Sequence, residues 1–193
     1  MNNLEKKTQL FKTGIDGLFV IEPRKYKNSQ GILTIETYNK KMMNENGLTM
    51  NFLQENQSMS TKGVLRGLHV QKKYPQGKLV RVLDGEIFDV AVDVRTGSDT
   101  YGKWFGVELS SDNKKQLYIP EGFAHGFYVL SDEAVVSFKV SNFWHPGDEI
   151  GIPWNDPTLK IEWPIKNNKK PIVAEKDSHY DAFDMLKDKL VIG

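Results

Sequence analysis

Between residues 18 and 163 no helical period lasts. The chain instead breaks into ten short apolar or alternating stretches, at 18–23, 32–38, 50–56, 63–71, 78–83, 86–94, 104–110, 116–120, 126–131 and 134–140, separated by Gly, Pro, Asn and Asp clusters. By pattern these are β-strands, and so many short strands in a small chain bury their apolar faces by packing two antiparallel sheets together. The expected class is therefore all-β. Helix is expected at two places only, as a turn or two near 39–46 and as a terminal amphipathic helix over 180–190. With 193 residues, no internal repeat and no long linker, a single domain spanning 1–193 is expected. The first 35 or so residues read as an arm with strands of its own, able to pair with a sheet edge of a second subunit.

Charge narrows the partners. Lys and Arg number 26 against 25 Asp and Glu, so there is no bulk positive field to hold nucleic acid or an anionic membrane face. An anionic ligand has to be met by locally placed cations. Cysteine is absent, which removes disulfides, thiolate nucleophiles and cysteine-ligated metals. The opening MNNLEKKTQLF has no apolar core of signal-peptide length, and no later stretch would span a bilayer. A soluble cytoplasmic protein is the expectation.

Asp84-Gly85 lies between two β-rich runs, the strongest short hairpin signal. If those two residues form the loop, Leu83 faces Glu86, Val80 faces Asp89 and Lys78 faces Ala91. Lys78 and Asp89 then become diagonal neighbours on one face that also carries Val80, Val82, Ile87 and Ala91. A lysine and an aspartate on an inward apolar face must pair or meet a polar ligand. That points to a wet or ligand-filled cavity, with an ion pair at the rim of the strands as the plainer alternative.

Four histidines are present, and each taken singly is more often structural than catalytic. His69 ends the run 63–71, where glycines allow close approach of a ligand. His125 lies in IPEGFAHGF, a turn feeding a strand. Their company with Arg66, Lys78 and Asp89 in one β domain suggests a site. No His-x-His is present, so no metal is expected. Neither G-x-S-x-G nor a P-loop occurs, which leaves acid–base chemistry.

The strings VLRGLHVQ, QGKLVRVLDGEIFDVAVDVR, IPEGFAHGF and WNDPTLKIEWP, with a later KD, resemble the dTDP-4-dehydrorhamnose 3,5-epimerase family over roughly residues 8 to 185. The resemblance implies a cupin-type β jelly roll, a homodimer with exchanged N-terminal strands, and no cofactor. It also implies a dTDP-linked 4-keto-6-deoxyhexose as substrate, on the way to rhamnose or a related deoxysugar of surface polysaccharide. On the matching positions it makes His69 the base and Asp177 the carboxylate that orients it. Lys78 becomes the cation facing the enolate oxygen, with Asp89 fixing Lys78. Arg66 and His125 fall near the diphosphate or sugar, and Gln54, Asn56, Glu36, Glu149 and Lys176 around the ligand. Tyr26 and Trp144 match the aromatic rings that enclose the nucleotide base.

The chain also departs from that pattern. The family's proton-donating tyrosine aligns with Phe138, which has no hydroxyl; Tyr118 and Tyr128 are unplaced candidates to replace it, as is water. Gln30 stands where the family has arginine, and one extra residue precedes Glu36. Two rivals to double epimerisation follow from Phe138, an epimerase acting at C-3 alone and a non-catalytic nucleotide-sugar binder. A ketoisomerase using similar enolisation is a third.

Overall fold

The structure is a computed structural model and describes residues 7–166 and 169–186. Its strands are β1 (Gln9–Lys12), β2 (Phe19–Glu22), β3 (Arg24–Asn28), β4 (Gly31–Ile35), β5 (Gln54–Thr61), β6 (Leu65–Gln71), β7 (Lys78–Asp84), β8 (Glu86–Asp93), β9 (Trp104–Ser110), β10 (Gln116–Ile119), β11 (Phe123–Val129), β12 (Glu133–Val140) and β13 (Glu149–Gly151). Six make one sheet in the order β1-β2-β10-β7-β12-β5, five make a second in the order β13-β6-β11-β8-β9, and β3 and β4 form a separate hairpin. The two large sheets face each other as a jelly roll. Alternation decides which side chains meet. Val80 and Val82 of β7, Leu117 and Ile119 of β10 and Val136 of β12 pack against Ile87 and Ala91 of β8 and Phe123 and Phe127 of β11.

The outer faces are covered too. Helix α1 (Lys40–Glu45), capped by the Asn39 side chain accepting from the Met42 N–H at 3.1 Å, lays Met43 over Ile21, Leu79 and Tyr118 of the first sheet. On the second sheet, Leu68, Val90 and Val92 are covered by Ile152, Leu159, Phe183 and Leu186. Central strands covered on both faces lose the alternation of a half-exposed strand, which is why six of the eight residues of β8 are buried, on both of its faces. Among the described residues no helix is long and apolar enough to cross a membrane.

Three expectations are corrected. Asp84-Gly85 is not a hairpin loop: β7 pairs with β10 and β12 and β8 with β11 and β9, so the turn carries the chain from one sheet to the other. Both strands have an apolar face to bury, and packing face to face across the sandwich buries both. Lys78 and Asp89 therefore stand on opposite sheets rather than diagonally on one. The strand expected at 50–56 is displaced to β5, whose inward residues Gln54, Asn56, Ser58 and Ser60 are polar and show no apolar period. The terminal helix expected over 180–190 is a 3-10 turn at Phe183–Leu186, and residues 187–190 lie outside the described part. Of the N-terminal arm, β1 and β2 join the chain's own sheet, and only the β3–β4 hairpin stands off it.

Gly85 makes the sheet-to-sheet crossing at φ 78°, where a Cβ would lie 2.1 Å from the Glu133 carbonyl oxygen. Gly85→Ala should lower the unfolding free energy by about 2–3 kcal/mol, read as a lower urea midpoint at unchanged slope.

Candidate active site

At one end of the sandwich the interior turns from apolar to polar and opens as a cavity of about 440 Å³. The second sheet supplies both histidines. His69 on β6 and His125 on β11 are partners in the ladder, and the register slips just beyond them, between His125 and Phe127. The strands come unusually close there. A Cβ on Gly67 would lie 2.6 Å from the His125 carbonyl oxygen, a clearance only glycine allows.

Behind each histidine stands a buried carboxylate. His69 Nε2 is 2.8 Å from Asp177 Oδ1, and Asp177 is only 3% exposed although it lies on a 3-10 turn, Glu175–Ser178. The second carboxylate oxygen accepts from the Gly67 N–H at 3.3 Å, and the Tyr180 hydroxyl donates to the first at 2.8 Å. Burial alone would raise the Asp177 carboxyl, but the His69 hydrogen bond and charge, with Tyr180 and Gly67, hold it below the ordinary value. Asp89, fully buried, bonds His125 Nε2 at 2.7 Å, and its other oxygen has no partner. It thus anchors His125 directly, whereas Lys78 senses its charge without an ion pair.

Across the cavity, the first sheet contributes Lys78 from β7, Phe138 from β12, and Asn56 and Ser58 from β5. Arg66, Gln76, Trp144, Glu149 and Lys176 add to the polar and aromatic lining. Arg66 Nε donates to Ser60 Oγ at 2.9 Å, and Glu149 lies 3.7 Å from His69 Nδ1 while paired with Lys176. Gln54 stands behind the wall and braces it, donating to Asn56 Oδ1 at 2.6 Å. Tyr26 and Glu36 are not brought to the cavity. Tyr26 lies on the detached hairpin under the Arg24 guanidinium, and Glu36, just past it, accepts from Asn39.

Neither candidate tyrosine replaces the missing hydroxyl. Tyr118 packs on the outer face of the first sheet beneath α1, and Tyr128, one residue off the inward Phe127, points out of the second. The sequence reading missed Ser58, the wall formed by residues 172–174, and Tyr180. β5 is polar at nearly every position and carries no period to mark Ser58; residues 172–174 sit in aperiodic chain, and Tyr180 opens the run expected as a terminal helix. Among the described residues, no group of three or more His, Asp or Glu side chains is placed to hold a metal ion.

The family described as dTDP-4-dehydrorhamnose 3,5-epimerase matches residues 12–185. A relative of that name from Methanothermobacter thermautotrophicus is 52% identical over 172 residues, 89% of this chain and 92% of its own. A solved dTDP-6-deoxy-D-glucose-3,5-epimerase from Legionella pneumophila, in complex with dTDP-4-keto-L-rhamnose, superposes with a TM-score of 0.89 at 44% identity, covering 96% of this chain and 97% of that one. ChmJ, a 3'-monoepimerase from Streptomyces bikiniensis solved with dTDP-quinovose, superposes with a TM-score of 0.83 at 26% identity, over 93% of this chain and 90% of that one.

The charges inside the cavity are set by burial. Desolvation pulls the Lys78 ammonium from an ordinary 10.5 down to about 8, against the opposing pull of Asp89 and Glu149. Burial likewise holds His125 below its ordinary value, Asp89 opposing and Lys78 and His69 adding to it. Lys78 is therefore charged below about pH 8 and loses its proton at a lower pH than a surface lysine. An NMR titration of the Lys78 side chain should show a midpoint of about 8. Asp89→Asn or Glu149→Gln should lower that midpoint further; an ordinary lysine titration would contradict the picture.

Proposed function

The chain belongs to the dTDP-4-dehydrorhamnose 3,5-epimerase family, and from that membership we propose that it acts in the cytoplasm as a single-domain, cofactor-independent epimerase. Its substrate is a dTDP-linked 4-keto-6-deoxyhexose, on the route to dTDP-rhamnose or a related deoxysugar. A ketone at C-4 acidifies the hydrogens on C-3 and C-5, so inversion needs a base, a partner for the enolate oxygen and a proton source on the opposite face of the ring.

The observation that carries this reading is the His69–Asp177 contact of 2.8 Å on the wall of the cavity that Lys78 enters from the other sheet. Asp177 takes the Nε2–H, which leaves Nδ1 as the nitrogen with a lone pair. That nitrogen removes the proton, and the imidazolium so formed is stabilised by Asp177 and by Glu149 beside it. The Lys78 ammonium meets the oxygen as negative charge develops there, with little water to screen it. Arg66 and Lys176 supply the local positive charge for the diphosphate. Trp144, 57% exposed at the mouth, offers a face for the thymine.

Phe138 favours a second reading, in which C-3 is inverted efficiently and C-5 poorly, because the wall opposite His69 offers no acidic hydroxyl. In deuterated water the protein should exchange deuterium into C-3 of the 4-keto substrate, followed by NMR. His69→Ala should reduce exchange by at least about a hundredfold while substrate still binds, and Phe138→Tyr should raise the share of C-5 inversion. No exchange at either carbon would remove the enzyme reading, and an unchanged product ratio in the tyrosine variant would remove the hydroxyl argument.

The position of Tyr26 supports a homodimer. It lies on a hairpin detached from both large sheets, whose Ile32 and Leu33 are 51% and 61% exposed. Two apolar side chains in water on a lone hairpin suit an exchanged arm that covers a second subunit and brings Tyr26 to its cavity mouth. Light scattering should give twice the chain mass, and Ile32→Asp with Leu33→Asp should shift it to the monomer; a monomer in the parent would overturn the exchange.

A further inference from the structure

We infer that Tyr180 is a positioning residue for the His69–Asp177 pair, a role that rests on reading His69 as the base. Its hydroxyl donates at 2.8 Å to the same Asp177 oxygen that His69 Nε2 meets, while the Gly67 N–H holds the other oxygen. Three donors thus converge on one buried carboxylate from three directions, and its rotation is fixed. Tyr180 stands behind Asp177, away from the cavity lining, so it acts through the carboxylate rather than on substrate.

The place for this ring is built into the sheet. Gly151, the β13 partner of His69, has no side chain, and a Cβ there would lie 2.0 Å from the Tyr180 ring. The ring fills that notch and meets the His69 imidazole edge-on, with centroids 6.1 Å apart at 86°. Burial first, then the bond to Asp177 and the negative charges of Asp177 and Glu149, raise the Tyr180 hydroxyl well above the ordinary phenol value, so it stays a donor throughout the working range. Sharing the carboxylate with this donor draws negative charge away from the imidazole.

The other charged or titratable groups around the pair are Glu149 on β13, His125 on β11, Lys78 on β7, Arg66 on β6 and Lys176 on the Glu175–Ser178 turn. None of them hydrogen-bonds Asp177. Tyr180 is therefore the one donor to that carboxylate that can be deleted while the base and the backbone are kept.

Tyr180→Phe leaves the ring in its notch and removes only the hydrogen bond. Asp177 then becomes a stronger acceptor for His69, so the hydrogen-bonded Nε2–H signal should move downfield in the NMR spectrum. The acid limb of kcat/KM should move to higher pH by about half a unit or more. On the plateau kcat should fall about three- to tenfold with KM within about twofold, since orientation and not binding is lost. An unmoved limb and an unmoved proton signal overturn the inference even if the melting temperature drops, because packing alone would do that. Should that variant fail to fold, Gly151→Ala, which pushes the ring out of its notch, must give the same shifts, and their absence overturns the inference equally. His69→Ala separates this from the reading beneath it. Exchange lost in that variant with an unmoved Tyr180→Phe profile removes only the tyrosine's role, whereas exchange retained removes the base itself.

Discussion

Asp177 meets His69 across 108 positions of sequence, and only 3% of its surface is exposed. A carboxylate withdrawn that far from water without partners is disfavoured by several kcal/mol. His69, Tyr180 and the Gly67 N–H remove that penalty together, so the C-terminal segment stays docked only where it also completes the site. The same segment pairs Ile172 with Val64, walls the cavity with residues 172–174, and sends Phe183 and Leu186 over the second sheet. The contacts that close this end of the fold are also those that hold the His69–Asp177 pair.

Within the sandwich, polarity changes along individual strands rather than between them. On β7 the inward positions run from Lys78 to Val80 and Val82; on β8, Asp89 is flanked by Ile87 and Ala91. The apolar layers give the sheets their adhesion, and the polar layer inherits a dry, rigid setting it could not make alone. Depression of the Lys78 ammonium to about 8 is the electrical sign of that setting. The loss of solvation that disfavours the free cation also strengthens its attraction to any negative charge beside it.

Phe138 places an apolar ring where an acid is expected, and strand parity explains why no neighbouring tyrosine substitutes. Tyr118 and Tyr128 alternate with inward residues and are committed to the outer faces, where α1 covers the first. A side chain cannot change faces without moving its whole strand by one position. The wall of the cavity opposite His69 is therefore set by β7, β12 and β5, which offer Lys78, Phe138, Asn56 and Ser58.

Much of this was legible in the residues. Short alternating runs broken by turn residues determined the all-β class, and nine of the ten expected strands fall at or near their observed places because burial on a pleated surface is a local, period-two demand. The motif strings marked His69, Lys78, Arg66, His125 and Asp177, all close around one cavity. Local pattern failed where the partner was distant. Asp84-Gly85 carries the same turn signal whether the next strand folds back beside the last or crosses to the other sheet, and only the competition of β10, β12, β11 and β9 for those edges settles it. β5 hid its strand because its inner face looks onto a polar cavity. Tyr180 opened a run whose period suggested a terminal helix and gave no sign of the carboxylate it meets. Sequence by itself determined which side chains alternate inward and which chemistry they carry. Tertiary structure alone decided which of them face one another, that Asp89 serves His125 rather than Lys78, and that a tyrosine from the tail fills the space left by Gly151, since hydrogen bonds and desolvation depend on distances in space that no spacing along the chain specifies.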